Sequence, residues 1–228
     1  MSLSLEARLR AQYGALDGAE LLAAMVGEFP GSLAVTSSFG AEAVVLLDLV
    51  AQVDKALPVL FLDTGELFDE TLAYRDLVVA TLGLTGLRVI RPTADELKAA
   101  EDLWRTDTDA CCDLRKVRPL QRAQAGFKAL VDGRKRFHGG DRETLPTISA
   151  DASGVIKISP LAPWSQERID AAFILRNLPR HTLVAQNYRS IGCWPCSRPT
   201  LPGEPVRAGR WAGAAKTECG IHRTNKVS

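Results

Sequence analysis

No run of about 18 uncharged apolar residues occurs in the 228-residue chain, so no segment is expected to cross a membrane as a helix. The first ten residues carry Glu6, Arg8 and Arg10 and no apolar h-region. A secretory signal is therefore not expected, and the expected location is cytoplasmic. Internal repeats and low-complexity stretches are also missing, and the ordinary composition excludes collagen, coiled coil and long disorder. Neither a lysine-bearing Walker A loop nor a G-x-G-x-x-G turn is present, and no motif for flavin or nicotinamide stands in their place. Cysteines number five, an odd count that argues against a structural disulfide framework in such a compartment.

What remains is a length that can bury one sizeable core. The net charge of +1 conceals an asymmetry. Residues 1–110 hold 18 acidic and 8 basic side chains, whereas residues 111–228 hold 9 acidic and 20 basic ones. A basic half beside an acidic half points to an anionic ligand, either a nucleic acid or a small phosphate- or sulfate-bearing molecule. A solvated basic face would leave the same signature.

Short apolar runs alternate with helical patterns. Ser32 to Thr36, Leu57 to Leu62, Leu87 to Ile90, Phe127 to Val131 and Val155 to Ile158 read as strands. Helical patterns cover the first thirty residues, AEAVVLLDLVAQV, roughly Leu67 to Leu82, and stretches opening near Thr93 and Ser165. This order predicts an α/β fold, a parallel sheet with helices on both faces. From about Pro179 the text turns rich in Pro, Gly and Arg. The expected organisation is therefore a nucleotide-binding α/β domain over 1–178, with N-terminal helices in 1–30, and a C-terminal segment over 179–228.

Ligands of open α/β sheets lie beyond the carboxyl ends of strands. Two polar, glycine-bearing loops, SSFG and DTGE, follow the first two strands. A strand that runs through small residues into a helix N-terminus offers backbone N–H groups to an anion, although a plain strand–helix turn has the same text. Cys111-Cys112 and Cys193-x-x-Cys196 supply four thiols for zinc, an iron–sulfur cluster, or, for the second pair, a redox dithiol. Adjacent cysteines are awkward around one small tetrahedral ion. A cluster spreads its irons, so each neighbour can reach a different one. Arg115 and Lys116 follow one turn later, where a cation would offset an anionic cluster. Cys219 stands alone in KTECGIH, and the nearby Lys216, His222, Arg207 and Arg210 are surroundings that favour a nucleophilic thiolate.

Taken together, SSFGAEAVVLL, LDTGELFDET, CCDLRKVRPL, GRKRFHGGDR, ISPLAPWS, IGCWPCSRPTLPGEPVRAGRW and KTECGIH resemble the assimilatory adenylyl-sulfate and phosphoadenylyl-sulfate reductases. The resemblance spans about Ser32 to His222 and implies the adenine-nucleotide α-hydrolase-like fold. It implies a [4Fe–4S] cluster on Cys111, Cys112, Cys193 and Cys196, and, because all four are kept, adenylyl sulfate as substrate. Cys219 would attack the sulfur, expel AMP and carry an S-sulfo group that thioredoxin or a glutaredoxin-like dithiol releases as sulfite. Ser37, Phe39 and Gly40 with Leu62, Thr64 and Gly65 would hold the adenosine. Gly133, Arg134 and Arg142 would contact the nucleotide phosphate, and Lys116, Arg207, Arg210 and His222 the sulfate. One departure is SSFG, where many cluster-type members have serine directly before the glycine; it places Phe39 beside the ribose.

The same resemblance leaves a 3′-phosphorylated substrate, or use of both, as the alternative. A tRNA-thiolating relative that activates its substrate with ATP would need SGGxDS at the first loop, which is absent. A nucleic-acid binder using the basic tail would leave Cys219 and DTGE without a role, so no nucleic-acid or membrane partner is expected. Self-association into a homo-oligomer is left open.

Overall fold

The computed structural model of the chain describes residues 3–212 together with Lys216, Glu218, Gly220 and Ile221. Two helices, α1 (Leu5–Tyr13) and α2 (Gly18–Glu28), precede strand β1 (Leu33–Ser37). There follow α3 (Ala43–Val53), β2 (Val59–Leu62), α4 (Asp69–Leu82), β3 (Leu87–Ile90) and three short helices, α5 (Ala94–Ala99), α6 (Leu103–Thr106) and α7 (Thr108–Cys112). A π-helical turn, Asp113–Val117, joins α7 to α8 (Arg118–Gln124), after which come β4 (Ala129–Val131), β5 (Ile148–Ala150), β6 (Ile156–Ile158) and α9 (Gln166–Leu175). Among the described residues, no helix is long and apolar enough to cross a membrane.

The six strands form one sheet in the order β3-β2-β1-β4-β6-β5. Every pairing is parallel except β5 with β6. The predicted strands are present. The antiparallel edge strand β5 was not read from the sequence, because three residues with one fully buried side chain carry no periodic signal.

Alternation along the strands divides the core between the two faces. Leu33, Val35, Val59, Phe61, Ala129 and Val131 join the large cluster that α2, α3 and α9 cover. Ala34, Leu60 and Leu130 face the other way, onto Leu120 of α8. Because both faces are covered, the strands read as continuous apolar runs. Helix α3 buries seven consecutive residues, Val44 to Val50, which explains why its sequence is apolar nearly all round. From β1 the chain winds outward through β2 to β3, then crosses back to β4 on the other side of β1, so the topological switch point lies between β1 and β4.

Beyond Leu175 the chain returns across the sheet's carboxyl edge in short 3₁₀ turns, Thr182–Gln186 and Trp194–Cys196. His181 seats the start of this passage. Its Nε2 lies 3.1 Å from Thr71 Oγ1, its Nδ1 accepts from the Leu183 N–H at 3.2 Å, and its ring packs on Tyr74. Burial pushes its pKa down to about 4. The unfolded chain takes up this proton near 6.5 while the folded one resists it, so stability should fall as pH drops from about 6.5 to about 4. His138, also lowered by burial, adds to the slope. Urea midpoints of a His181→Gln variant, measured across that window, should show a flatter pH dependence than wild type; an unchanged slope would mean that His181 is not the group responsible.

Candidate active site

A cavity of about 220 Å³ opens at the switch point. Ser37 at the end of β1 with Ser38 and Gly40 beyond it, Leu62 at the end of β2 with Thr64 beyond it, and Asp132 to Lys135 after β4 form its walls. Thr36 ties β1 to β4, its Oγ1 donating to the Val131 carbonyl at 3.1 Å. Gly40 is needed for closeness, since a Cβ there would lie 3.3 Å from the Ile191 carbonyl oxygen of the returning tail.

Phe39 requires a correction. Its backbone takes φ +48°, and the Phe39 N–H donates to Ser37 Oγ at 3.2 Å. That left-handed kink turns the ring into the core, fully buried and edge-on to Phe61 at 5.3 Å, so it does not line the cavity. Gly65, also expected at the nucleotide, is likewise absent from the lining. It serves the turn after β2 at φ +74°, and its neighbour is the Arg115 guanidinium.

The loop after β4 supplies a basic wall in which most charges are already matched. Asp132 accepts from Arg134 Nε at 2.9 Å and from Ser159 Oγ at 2.9 Å. Lys135 is buried and pairs with Glu42 at 2.7 Å, with His138 Nε2 3.3 Å from the same carboxylate oxygen. Burial works against the Glu42 charge, yet His138 and Lys135 together hold its pKa down to about 2. Arg136 turns away to the Leu145 carbonyl, leaving Arg134 and Arg142 facing the cavity. Glu42, Lys135 and His138 were not singled out by sequence reading, because Glu42 lies far along the chain from its partners and only the fold brings them together.

The tail closes the opposite side with Arg207, Arg210 and Trp211. Arg210 is fixed by its Nε donating to the Cys196 carbonyl at 3.2 Å and lies over the Trp211 ring. A side chain at Gly192 would run into its guanidinium. Glu218 and Ile221 also line this side. Lys216 is buried against α7, its Nζ donating to the Thr108 carbonyl at 2.8 Å and to Asp109 at 2.6 Å. Cys219 and His222 lie outside the described residues.

A second, smaller cavity is ringed by Cys111, Cys112, Cys193 and Cys196, with Glu66, Trp104, Arg115, Lys116 and Pro195. The fold brings the four thiols together although 80 residues separate the pairs. One pair comes from the end of α7 and the other from the 3₁₀ turn, which a bridge between Leu67 and Cys193 pins to the loop after β2. Burial and the neighbouring Cys112 sulfur push the Cys111 thiol up to about 11, and burial also raises Cys196. Burial acts the same way on Cys193, but Lys116, the Thr64 hydroxyl 3.3 Å away and Arg210 outweigh it and hold that thiol low.

Among the described residues, no group of three or more His, Cys, Asp or Glu side chains is placed to hold a metal ion. A cluster makes a different demand, since each thiol binds its own iron and the four need only ring a common space. The buried Arg115 supports that fit. Its Nη1 donates to the Thr64 carbonyl at 2.8 Å and its Nη2 pairs with Glu66 at 3.2 Å, while Nε has no hydrogen-bond partner among the described residues. An orphaned buried donor beside four thiols suits a sulfur-rich acceptor. The π-helical turn carries Arg115 and Lys116 to this point, a local device that often marks functional sites.

Lys116 and Cys193 line both cavities, so the wall between them is shared. A cation-lined cavity at the sheet's switch point, placed next to four thiols, defines the class: an α/β protein whose site suits an anionic ligand and sulfur chemistry. The phosphoadenosine phosphosulfate reductase domain family matches residues 32–199, and the chain belongs to that family. It is 48% identical over 222 residues to an adenosine 5′-phosphosulfate reductase of Mesorhizobium japonicum, covering 95% of this chain and 86% of the relative. It is 37% identical over 221 residues to a phosphoadenosine 5′-phosphosulfate reductase of Gloeobacter violaceus, covering 94% and 92%. In structure it is similar to the phosphoadenylyl-sulfate reductase of Candida auris in its phosphate complex, with a TM-score of 0.73, 29% identity and coverage of 85% of this chain and 97% of the other.

Proposed function

We propose that the chain reduces adenylyl sulfate to sulfite and AMP at the expense of a dithiol. The observation that carries this reading is the shared wall: the cation-lined cavity at the switch point and the four-thiol cavity meet at Lys116 and Cys193. The loops holding Ser37, Gly40, Leu62 and Thr64 receive the adenosine, Gly133, Arg134 and Arg142 the phosphate, and Lys116, Arg207 and Arg210 the sulfate. The Cys219 thiolate attacks the sulfuryl sulfur, the bond from sulfur to the phosphate oxygen breaks, and AMP leaves with the electron pair. A thioredoxin- or glutaredoxin-like dithiol then attacks Cys219 Sγ. Sulfite departs, and the second thiol of the dithiol reduces the mixed disulfide, so both electrons come from the partner.

Attack by an anion on an anion needs cations held in place beforehand, which the matched pairs of the basic wall and tail provide. Cys111, Cys112, Cys193 and Cys196 would hold a [4Fe–4S] cluster, which when bound adds fixed charge beside Lys116. In this reading the C-terminal segment from residue 179 is the unit that closes over the nucleotide domain. The relatives named for the 3′-phosphorylated nucleotide support a second reading in which that substrate is also used.

Anaerobic incubation with ³⁵S-labelled adenylyl sulfate, without any dithiol, tests the reaction. Label should stay on the wild-type protein with release of AMP and should be absent from Cys219→Ala. The 3′-phosphorylated analogue, run alongside, decides between the two substrates. Label on neither would refute the reading.

A further inference from the structure

We propose that Glu218 is an internal anion seated on the Arg142–Arg207 pair, and that an incoming nucleotide's anionic group must displace it. The inference rests on the functional reading above, in which these arginines receive substrate oxygens. Glu218 uses both carboxylate oxygens. Its Oε1 accepts from Arg142 Nε at 2.7 Å, and its Oε2 accepts from Arg142 Nη2 at 2.9 Å and from Arg207 Nη2 at 3.3 Å. All three side chains are less than one-fifth exposed and line the cavity.

This is the two-pronged geometry by which a guanidinium grips a carboxylate or a phosphate. The Nε–Nη2 edge of Arg142 cannot grip both at once. The remaining nitrogen, Nη1, lies 3.4 Å from His138 Nδ1, so the free end of the guanidinium faces a ring and not open cavity. Glu218 therefore stands on the edge that a substrate oxyanion would use.

The other carboxylates in the basic wall differ in where they come from. Asp132 follows β4 directly and is braced by Ser159, and Glu42 immediately precedes α3. Both belong to the sheet framework, and their cations stay matched when a ligand arrives. Glu218 comes from the C-terminal segment, which Lys216 pegs to α7 two residues earlier. It can leave the arginines without breaking the sheet. Its carboxylate bridges Arg142 and Arg207. With it, part of the substrate's attraction to them goes into replacing an existing ion pair.

Calorimetric titration of the full-length holoprotein with adenylyl sulfate, AMP and adenosine tests this in wild type, Glu218→Gln and Glu218→Ala. Both variants should bind AMP and adenylyl sulfate roughly tenfold more tightly, about 1.4 kcal/mol, and adenosine equally. The adenosine arm reports whether the nucleotide-binding loops are intact. Unchanged or weaker AMP binding would overturn the proposal, because a carboxylate that merely orients the arginines would be missed when removed. A parallel change with adenosine would overturn it too. If adenylyl sulfate binds none of the proteins, the functional reading fails, while AMP still decides the displacement.

Discussion

Replacing Lys116 with alanine should lower kcat/KM for adenylyl sulfate by about 10²–10³, the usual loss when one well-placed electrostatic donor is removed from a reacting anion. Two features make this cation more than one of several. It sits in the π-helical turn immediately after the cysteine pair, and it lines both cavities. It also holds the Cys193 thiol low against the effect of burial. Affinity for AMP, which lacks the sulfate, should change little, so the loss belongs in turnover and in binding of the sulfated nucleotide. Lys116→Arg should recover part of the rate, because charge is kept while shape is altered. Steady-state sulfite release together with AMP affinity checks this. A parallel loss of AMP binding would place Lys116 at the phosphate instead.

The Phe39→Ala variant should be destabilised by about 3–5 kcal/mol, the range for removing a fully buried aromatic side chain. Its ring is wholly buried and makes an edge-on contact with Phe61 on the covered face of β2. At this chain length, that loss lowers the melting temperature by roughly 10 °C. Phe39→Leu should recover much of it by refilling the space. Nucleotide affinity, measured well below the melting transition, should stay near wild type in both. A stable Phe39→Ala protein with weakened adenosine binding would restore the ribose contact that the sequence suggested.

That reversal shows where sequence reading stops. SSFG was legible as a loop leaving a strand, because Leu33, Ala34 and Val35 run into small residues, and Ser37, Ser38 and Gly40 do line the cavity. Nothing in four letters reveals that residue 39 adopts positive φ, and that single dihedral decides whether a phenyl ring faces ligand or core. The cysteine pairs were legible because thiols in close pairs are rare and their chemistry is narrow. Their meeting in one cavity depends on the returning tail, which the β-bridge from Leu67 to Cys193 fixes. The Glu42–Lys135–His138 group and the fit of Arg210 over Gly192 were invisible for the same reason: each joins segments whose proximity exists only after folding. The short helices between Leu103 and Gln124 were not resolved one by one, since turns of four to seven residues have too few positions to show a period.

Cys193 belongs to two rooms at once. A partition one side chain thick cannot be moved to suit one side alone. Any substitution that widens the nucleotide chamber at this point thins the housing of the thiols, and any change that tightens the thiols intrudes on the nucleotide. Variation that alters the ligand can therefore accumulate freely along the outer loops, while along this partition the two halves of the site can only change together.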